Sequence, residues 1–330
     1  MHIEFLGPVG MDRFFVPAIE ALRSEGHAVR RHPSDGRASA AAIDPDVDLV
    51  VAFGGVAIAR PDLARLRRLR ALISPVTGTE GFEERAATEL GILVANGQVV
   101  ENYTSMAEAT VMLILAALYD LHGTERVLRE DLPRPQTHAA RMLMGKTVGL
   151  IGFGQIAKAV AERLQAWKCT MLASMRTPRP LPAYVAPAEL EHLLRASDVV
   201  VVLASLNSDT RGMLGGAELA LMKEDATFVN VSRGGIVDEA ALAALALARP
   251  RMRIAVDVFE RLPVAPDHPL RRLPNAILTP HMVGHTYETH QRLPVVMMEN
   301  IRHALAGTAP EYIRNPEVLP GWLARWGGRT

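Results

Sequence analysis

The chain has 330 residues, 49% of them hydrophobic and 22% charged, which is enough for about two domains with ample cores and too apolar for a disordered polymer. Lys plus Arg and Asp plus Glu each number 36, so no summed basic field exists to collect nucleic acid or an acidic membrane. The single cysteine, Cys169, excludes internal disulfides and multi-thiolate zinc sites and suits a reducing cytosol, and the amino terminus lacks a basic segment followed by a long apolar run.

From the start, short β-rich runs alternate with helical patterns. Strands are expected over 2–6, 48–53, 71–76 and 92–95, with helices over 16–23, 63–70 and 82–90 between them. That alternation builds a parallel sheet. The most apolar stretch, 109–119, lies between Glu108 and Asp120 and falls short of the roughly 18 residues that span a bilayer, so it reads as part of a buried helix over 105–121. The polar run Asp131-Leu-Pro-Arg-Pro-Gln136 marks a domain junction nearby. A second series follows, with strands over 147–152, 170–174, 199–203, 227–231, 253–258 and 276–279 and helices over 156–167, 189–194 and 239–248. A last helix over 295–305 ends at Gly307, a residue suited to the left-handed conformation after a helix. No short-period repeat is present, but two similar doubly wound units are implied.

Gly152-Phe-Gly154-Gln-Ile-Ala157 follows the strand at 148–151 and opens the helix at 157–165, the two contexts a dinucleotide fingerprint requires. Gly152 allows the tight turn, Gly154 lets the backbone approach the pyrophosphate, and Ala157 takes the place of a third glycine; Phe153, Gln155 and Ile156 complete the turn. The helix amides then face the phosphates. An NAD site usually carries an acidic residue about 20 positions on, to bind the ribose 2′-hydroxyl. From Arg163 to Ala188 there is none, and the strand at 170–174 runs into Met175, Arg176 and Thr177. An arginine there can grip a 2′-phosphate with charge-assisted bonds, which favours NADP and leaves NAD possible; the alternative is that Arg176 is a solvated turn residue.

The run from Leu221 to Glu239, which includes Asn230-Val-Ser-Arg-Gly-Gly-Ile-Val-Asp238, resembles the signature of the D-isomer-specific 2-hydroxyacid dehydrogenases. Further matches are Gly145-Lys-Thr-Val-Gly-Leu-Ile-Gly-Phe-Gly154, Asp257-Val-Phe259, Pro274-Asn-Ala-Ile-Leu-Thr-Pro-His281, Glu299-Asn-Ile-Arg302 and Asn315-Pro316. The resemblance implies two doubly wound α/β domains with parallel sheets: a Rossmann NAD(P)-binding domain over 101–285, and a discontinuous flavodoxin-like substrate-binding domain over 1–100 and 286–330. It implies reduction of a small 2-oxoacid such as glyoxylate or hydroxypyruvate to the D-2-hydroxyacid in a homodimer, while NADPH as the donor follows from the reading of Arg176, and a cytoplasmic protein with no nucleic-acid or membrane partner is expected from composition and charge. The substrate is expected between the domains. By the same resemblance Arg233 pairs with the substrate carboxylate and polarises its carbonyl, a task that suits a permanently charged rigid fork. His281 is the acid/base, with an imidazole pKa near the working pH. Asp257 meets the nicotinamide amide, and Val231, Ser232, His281 and Gly284 line the cofactor. Val76, Thr77 and Gly78 match a loop whose amides hold the carboxylate, although Val76 stands where a glycine is usual and an ordinary strand-end turn is the alternative. The other histidines, His268 and His285 among them, read as surface or packing residues.

One family position departs from the pattern. The glutamate that hydrogen-bonds the histidine, just before a proline, is here Leu262, before Pro263. A carboxylate there favours imidazolium, so its loss weakens His281 as an acid at neutral pH. Three readings follow: His281 and Arg233 act alone, the favoured one; Glu260 substitutes, being roughly 6.5–7 Å away along an extended segment; or the fold serves a related hydride donor or a dinucleotide-gated binding or sensor protein. Formate dehydrogenases, similar in fold, also lack the glutamate but carry glutamine. The tail Leu319-Pro-Gly-Trp-Leu-Ala-Arg-Trp326 either packs over the cleft or staples the terminus.

Overall fold

The structure is a computed structural model and describes residues 1–34, 40–136 and 140–328. In chain order it begins with β1 (His2–Pro8), α1 (Asp12–Ser24), β2 (Ala28–Ser34), β3 (Leu49–Ala52), α2 (Arg60–Arg65), β4 (Ala71–Ile73), α3 (Glu84–Glu89) and β5 (Leu93–Ala95). Next come α4 (Val100–Leu118), α5 (Leu121–Arg129), β6 (Thr147–Ile151), α6 (Gln155–Leu164), β7 (Thr170–Ser174), β8 (Ala186–Pro187), α7 (Leu190–Ala196) and β9 (Val199–Val202). The chain closes with α8 (Gly216–Ala220), β10 (Thr227–Asn230), α9 (Glu239–Ala248), β11 (Arg253–Val256), β12 (Ala276–Leu278), α10 (Tyr287–Ala306) and α11 (Leu319–Trp326).

Two compact units result: Met1–Asn102 with Thr286–Thr330, and Tyr103–His285. The first holds a five-stranded sheet of order β2-β1-β3-β4-β5, the flavodoxin-like arrangement, with every pairing parallel. The second holds a seven-stranded parallel sheet of order β12-β11-β10-β9-β6-β7-β8, the Rossmann order with one added strand beside β11. Parallel strands are covered on both faces, so they read as unbroken apolar runs; Val199–Val202, four valines all fully buried, is the plainest case.

Several elements depart from the expectations. The edge strand β2, Ala-Val-Arg-Arg-His-Pro-Ser, carries no apolar alternation because only one of its edges is paired and its side chains reach polar neighbours. Helix α2 ends at Arg65, and Leu66 and Leu69 are buried in a coil beyond it. The long helix stops at Leu118, where Asp120 takes a left-handed φ of 48°, and α5 leaves at 61°. Among the described residues no single helix is long and apolar enough to cross a membrane. Helix α10 begins at Tyr287, capped by Thr286 Oγ1 accepting from the Thr289 amide, and runs through Pro294 because Leu293, Val296, Met297 and Ile301 form one buried stripe. It ends, as expected, at Gly307, whose φ is 71°.

The tail staples the terminus to the first unit. Trp322 on α11 is 1% exposed and donates Nε1–H to the Arg70 carbonyl at 2.8 Å. Trp326 stacks against the guanidinium groups of Arg70 and Arg325, each 4.6 Å from its ring centre.

Candidate active site

The turn between β6 and α6 fits a dinucleotide. Gly152 has φ 91°, and a Cβ there would lie 2.7 Å from the Ala204 backbone, so only glycine passes. Its amide donates to the Ser174 carbonyl at 2.8 Å, which ties the turn to the end of β7. Gly154 is the N-cap of α6 with no side-chain cap, and a Cβ there would meet open space. The first-turn amides of α6 are therefore left for an anion. Gln155 is exposed, Ile156 half-buried and Ala157 buried. Phe153, expected at the cofactor, packs its ring into the core beside Ala157 and Val160 and offers only its peptide.

No acidic residue lies on the end of β7, yet a carboxylate reaches it. Asp209, in the loop after β9, forms an ion pair with Arg176; both side chains are largely exposed. The expectation that the pocket lacks an acid is thus corrected: the sheet order β9-β6-β7 brings a loop from a distant segment to the same edge. Thr177 is exposed beside it.

Arg233, Phe259 and His281 leave three neighbouring strands at the same level. Asn230, Val256 and Leu278 are in register on β10, β11 and β12, and each of the three residues lies three positions further on. Strands two apart are roughly 10 Å apart, so Arg233 and His281 emerge from one sheet edge at that spacing along the strands' normal. This is the carboxyl edge, where open parallel sheets bind ligands. Val231 and Ser232 are buried, and Asn230 Oδ1 accepts from the Ser232 amide at 3.1 Å while its Nδ2 donates to the Arg233 carbonyl at 3.3 Å. Arg233 itself is extended, with Nη1 donating to the Ser232 carbonyl at 2.7 Å. A Cβ on Gly234 would collide with the Phe259–Glu260 peptide, which holds the two strand ends against each other.

Asp257, expected at the nicotinamide amide, is 1% exposed and makes a set of bonds within the protein. Its Oδ1 accepts from Thr279 Oγ1 at 2.6 Å and from the Met282 and Val283 amides at 2.9 and 3.1 Å, and its carbonyl accepts from the His281 amide at 2.6 Å. His281 sits in the left-handed region at φ 58°, which a non-glycine residue adopts only where its surroundings impose it. Asp257 is therefore a positioning residue for the histidine loop. His285 lies with its ring centre 6.5 Å from that of His281; the four-residue spacing was the signal for it, and the sequence reading set it aside.

Gly284, expected at the cofactor, also lets α4 approach: a Cβ there would overlap Met106, and its carbonyl accepts from Ser105 Oγ at 2.9 Å. Glu260 faces a cavity of about 410 Å³ lined by Arg211, Glu239 and His268, with its amide donating to Glu239 Oε1. His268 is held there by Glu239 at 2.9 Å and edge-on to Phe259. Leu262 is 49% exposed.

In the first unit the 76–78 loop follows β4. Val76, expected to bind substrate, packs its side chain in the core and gives its amide to Ser74 Oγ at 3.3 Å. Asn96 Nδ2 donates to the Thr77 carbonyl at 2.7 Å, and Ser74 Oγ to that of Gly78 at 2.7 Å. Among the described residues the Thr77 and Gly78 amides have no protein acceptor.

Comparison with known proteins agrees with this arrangement. Residues 111–283 match the family model for the D-isomer specific 2-hydroxyacid dehydrogenase, NAD binding domain. The chain belongs to the D-isomer-specific 2-hydroxyacid dehydrogenase family. It is 34% identical over 269 residues to a glyoxylate reductase of Aeropyrum pernix, covering 78% of this chain and 79% of that one. It is 29% identical over 306 residues to a D-3-phosphoglycerate dehydrogenase of Archaeoglobus fulgidus, covering 92% of this chain but only 57% of the relative, so it spans little more than half that protein's length. Its fold is similar to that of an NADPH-dependent glyoxylate/hydroxypyruvate reductase from Sinorhizobium meliloti, crystallised with NADP and malonate, at a TM-score of 0.81, 25% identity and 97% coverage of both chains.

Proposed function

We propose that the protein reduces a small 2-oxoacid of the glyoxylate or hydroxypyruvate class to its D-2-hydroxyacid, with NADPH as the preferred dinucleotide and NAD as a weaker alternative. The observation that carries this reading is the common offset of Arg233 and His281 at the carboxyl edge of the sheet whose β6–α6 turn fits a dinucleotide. Gly152, Gly154 and the first amides of α6 would hold the pyrophosphate, Arg176, released from its ion pair with Asp209, would with Thr177 hold the 2′-phosphate, and Val231, Ser232 and Asp257 would line the nicotinamide. The bound dinucleotide supplies hydride chemistry. Arg233 binds the carboxylate and draws charge toward the carbonyl oxygen, which its fixed fork does without a proton of its own to lose. His281 gives that oxygen a proton, and Asp257 keeps the imidazole in place. Thr77 and Gly78 offer further amides to a carboxylate. The product takes the proton from His281, which is recharged from solvent.

The relative from Sinorhizobium meliloti supports the cofactor preference, and the exposed apolar residues Met112 on α4, Tyr119 between the helices, and Leu121 and Leu128 on α5 support a homodimer. Burial pushes the Cys169 thiol up, which keeps it protonated and unreactive.

Initial rates with NADPH and NADH across glyoxylate, hydroxypyruvate, pyruvate and phenylpyruvate test the reading. Turnover of at least one of the first two, faster with NADPH, is expected, and Arg176→Ala is expected to cut the NADPH preference about tenfold by removing a charge-assisted bond. Cofactor binding without oxidation by any of the four acids would replace the enzyme with a dinucleotide sensor.

The missing glutamate gives a second test. Restoring it with Leu262→Glu places a carboxylate that favours the protonated imidazole, so the alkaline limb of the reduction rate is expected to move to higher pH by about one unit. Protonated His281 is the reactive form for reduction, hence the direction. The half-exposed site accepts the charge with little loss of stability. An unmoved limb would show that residue 262 does not face the histidine.

A further inference from the structure

A polar cluster in the first unit, on residues outside the proposed chemistry, is organised around a carboxylate that is fully buried. Glu4 on β1 is 0% exposed. Its two oxygens face two imidazoles: His2 Nε2 stands 3.1 Å from Oε1 and His32 Nε2 3.0 Å from Oε2. His2 and Glu4 are two apart on β1 and share a sheet face. His32 comes from the edge strand β2, and Asp44 from the segment between β2 and β3, where its amide lies 3.3 Å from both Glu4 oxygens. Asp44 Oδ1 accepts from the Asp46 amide at 3.0 Å. Among the described residues Arg30 also stands beside the cluster, 3.4 Å from Asp44 Oδ2 and 3.9 Å from Glu4 Oε1, on a side chain that is 61% exposed.

A buried carboxylate is costly unless something on the spot compensates it, and an apolar side chain would serve a buried position on a doubly paired strand better. His2, Glu4 and Asp44 each bring one donor atom to within 4.8 Å of the others, a spread that a single ion can draw together. We propose that His2 Nε2, a Glu4 oxygen and an Asp44 oxygen bind a divalent transition cation of the zinc class, with His32 acting as the positioning residue that fixes the Glu4 carboxylate from its other side. Mixed imidazole and carboxylate donors select such an ion over Mg²⁺ or Ca²⁺, which take oxygen ligands alone. Bound there, the ion joins β1 and the segment that leads into β3, and through Glu4 it bears on the edge strand β2. It serves the stability of this unit and takes no part in the reaction.

The test uses the full chain without a polyhistidine tag, stripped with chelator and titrated with Zn²⁺ by calorimetry, with thermal unfolding in parallel. One saturable equivalent is expected, with a melting temperature that rises with the logarithm of free Zn²⁺. Asp44→Asn and His2→Gln, both at partly exposed positions, are expected to abolish that equivalent, and His32→Ala to weaken it about 10–100-fold, as loss of an orienting partner does. His303→Ala, a surface histidine elsewhere, should leave the affinity unchanged. Absence of a saturable equivalent in the parent chain overturns the proposal, and so does an equivalent of parent affinity that survives in both Asp44→Asn and His2→Gln.

Discussion

Arg233→Lys is expected to lower kcat/KM for the preferred 2-oxoacid by about 10²–10³-fold, the loss that follows removal of a donor aimed at developing oxyanion charge. Lysine keeps the positive charge, so the change isolates the geometry. A guanidinium offers two parallel donors from one plane, whereas an ammonium on a flexible stem is a point charge with no fixed direction. The local backbone should not move, because the extended conformation of residue 233 is set by Asn230 bonding the Ser232 and Arg233 peptides and by Gly234 lying on the Phe259–Glu260 peptide. Steady-state rates, with dinucleotide affinity from nicotinamide fluorescence as control, provide the measurement. A loss below about threefold with cofactor affinity intact would remove Arg233 from the chemistry, since even a single neutral hydrogen bond is worth nearly that much.

Trp322→Ala is expected to destabilise the first unit by about 3–5 kcal/mol, the usual cost of deleting a large buried aromatic ring. The indole is 1% exposed, packs among Ile3, Ile73 and Ile301 in one core, and its N–H bonds the Arg70 carbonyl. That carbonyl also accepts from the Leu93 amide at 3.1 Å, so the loss comes mainly from the cavity and not from an orphaned acceptor. Denaturant unfolding of the full chain, followed through fluorescence and far-UV dichroism, should show an early transition for this unit. Trp322→Phe, which refills most of the volume, should recover much of the difference. A shift of less than about 1 kcal/mol in the alanine variant would mean that α11 is peripheral to the core.

Much of the fold was legible because parallel strands announce themselves locally. The valines of β9, the apolar runs of β3 and β6, and the alanine-rich α9 with Asp238 as its cap all lie where periodicity puts them. Elements without a strong apolar pattern were missed. The edge strand β2 is polar, β8 has two residues, and α5 has no buried residue at all. Helix α10 was begun too late because Pro294 reads as an interruption, while in the folded chain the stripe from Leu293 to Ala304 outweighs one missing hydrogen bond.

The candidate site divides in the same way. Gly152 and Gly154 were readable as a turn, since a strand, two glycines and a helix within a short run leave few other conformations. The packing of Gly284 on Met106 and of the Phe153 ring in the core was not legible, because it depends on which elements become neighbours. Val76 lost its place in the carboxylate loop because its side chain is apolar and Ser74 already accepts its amide proton in a local bond.

The amino-acid order alone determined the family, the alternation of strand and helix, and the positions of Arg233 and His281 within their motifs. Only the tertiary structure decided that Asp209 reaches Arg176, that Asp257 braces the loop of His281, that His285 stands beside it, and that Glu4 lies between two imidazoles. Periodicity and turn chemistry are properties of short segments. Which loops share a sheet edge depends on which strands become neighbours, and that is settled by the burial of the whole chain at once.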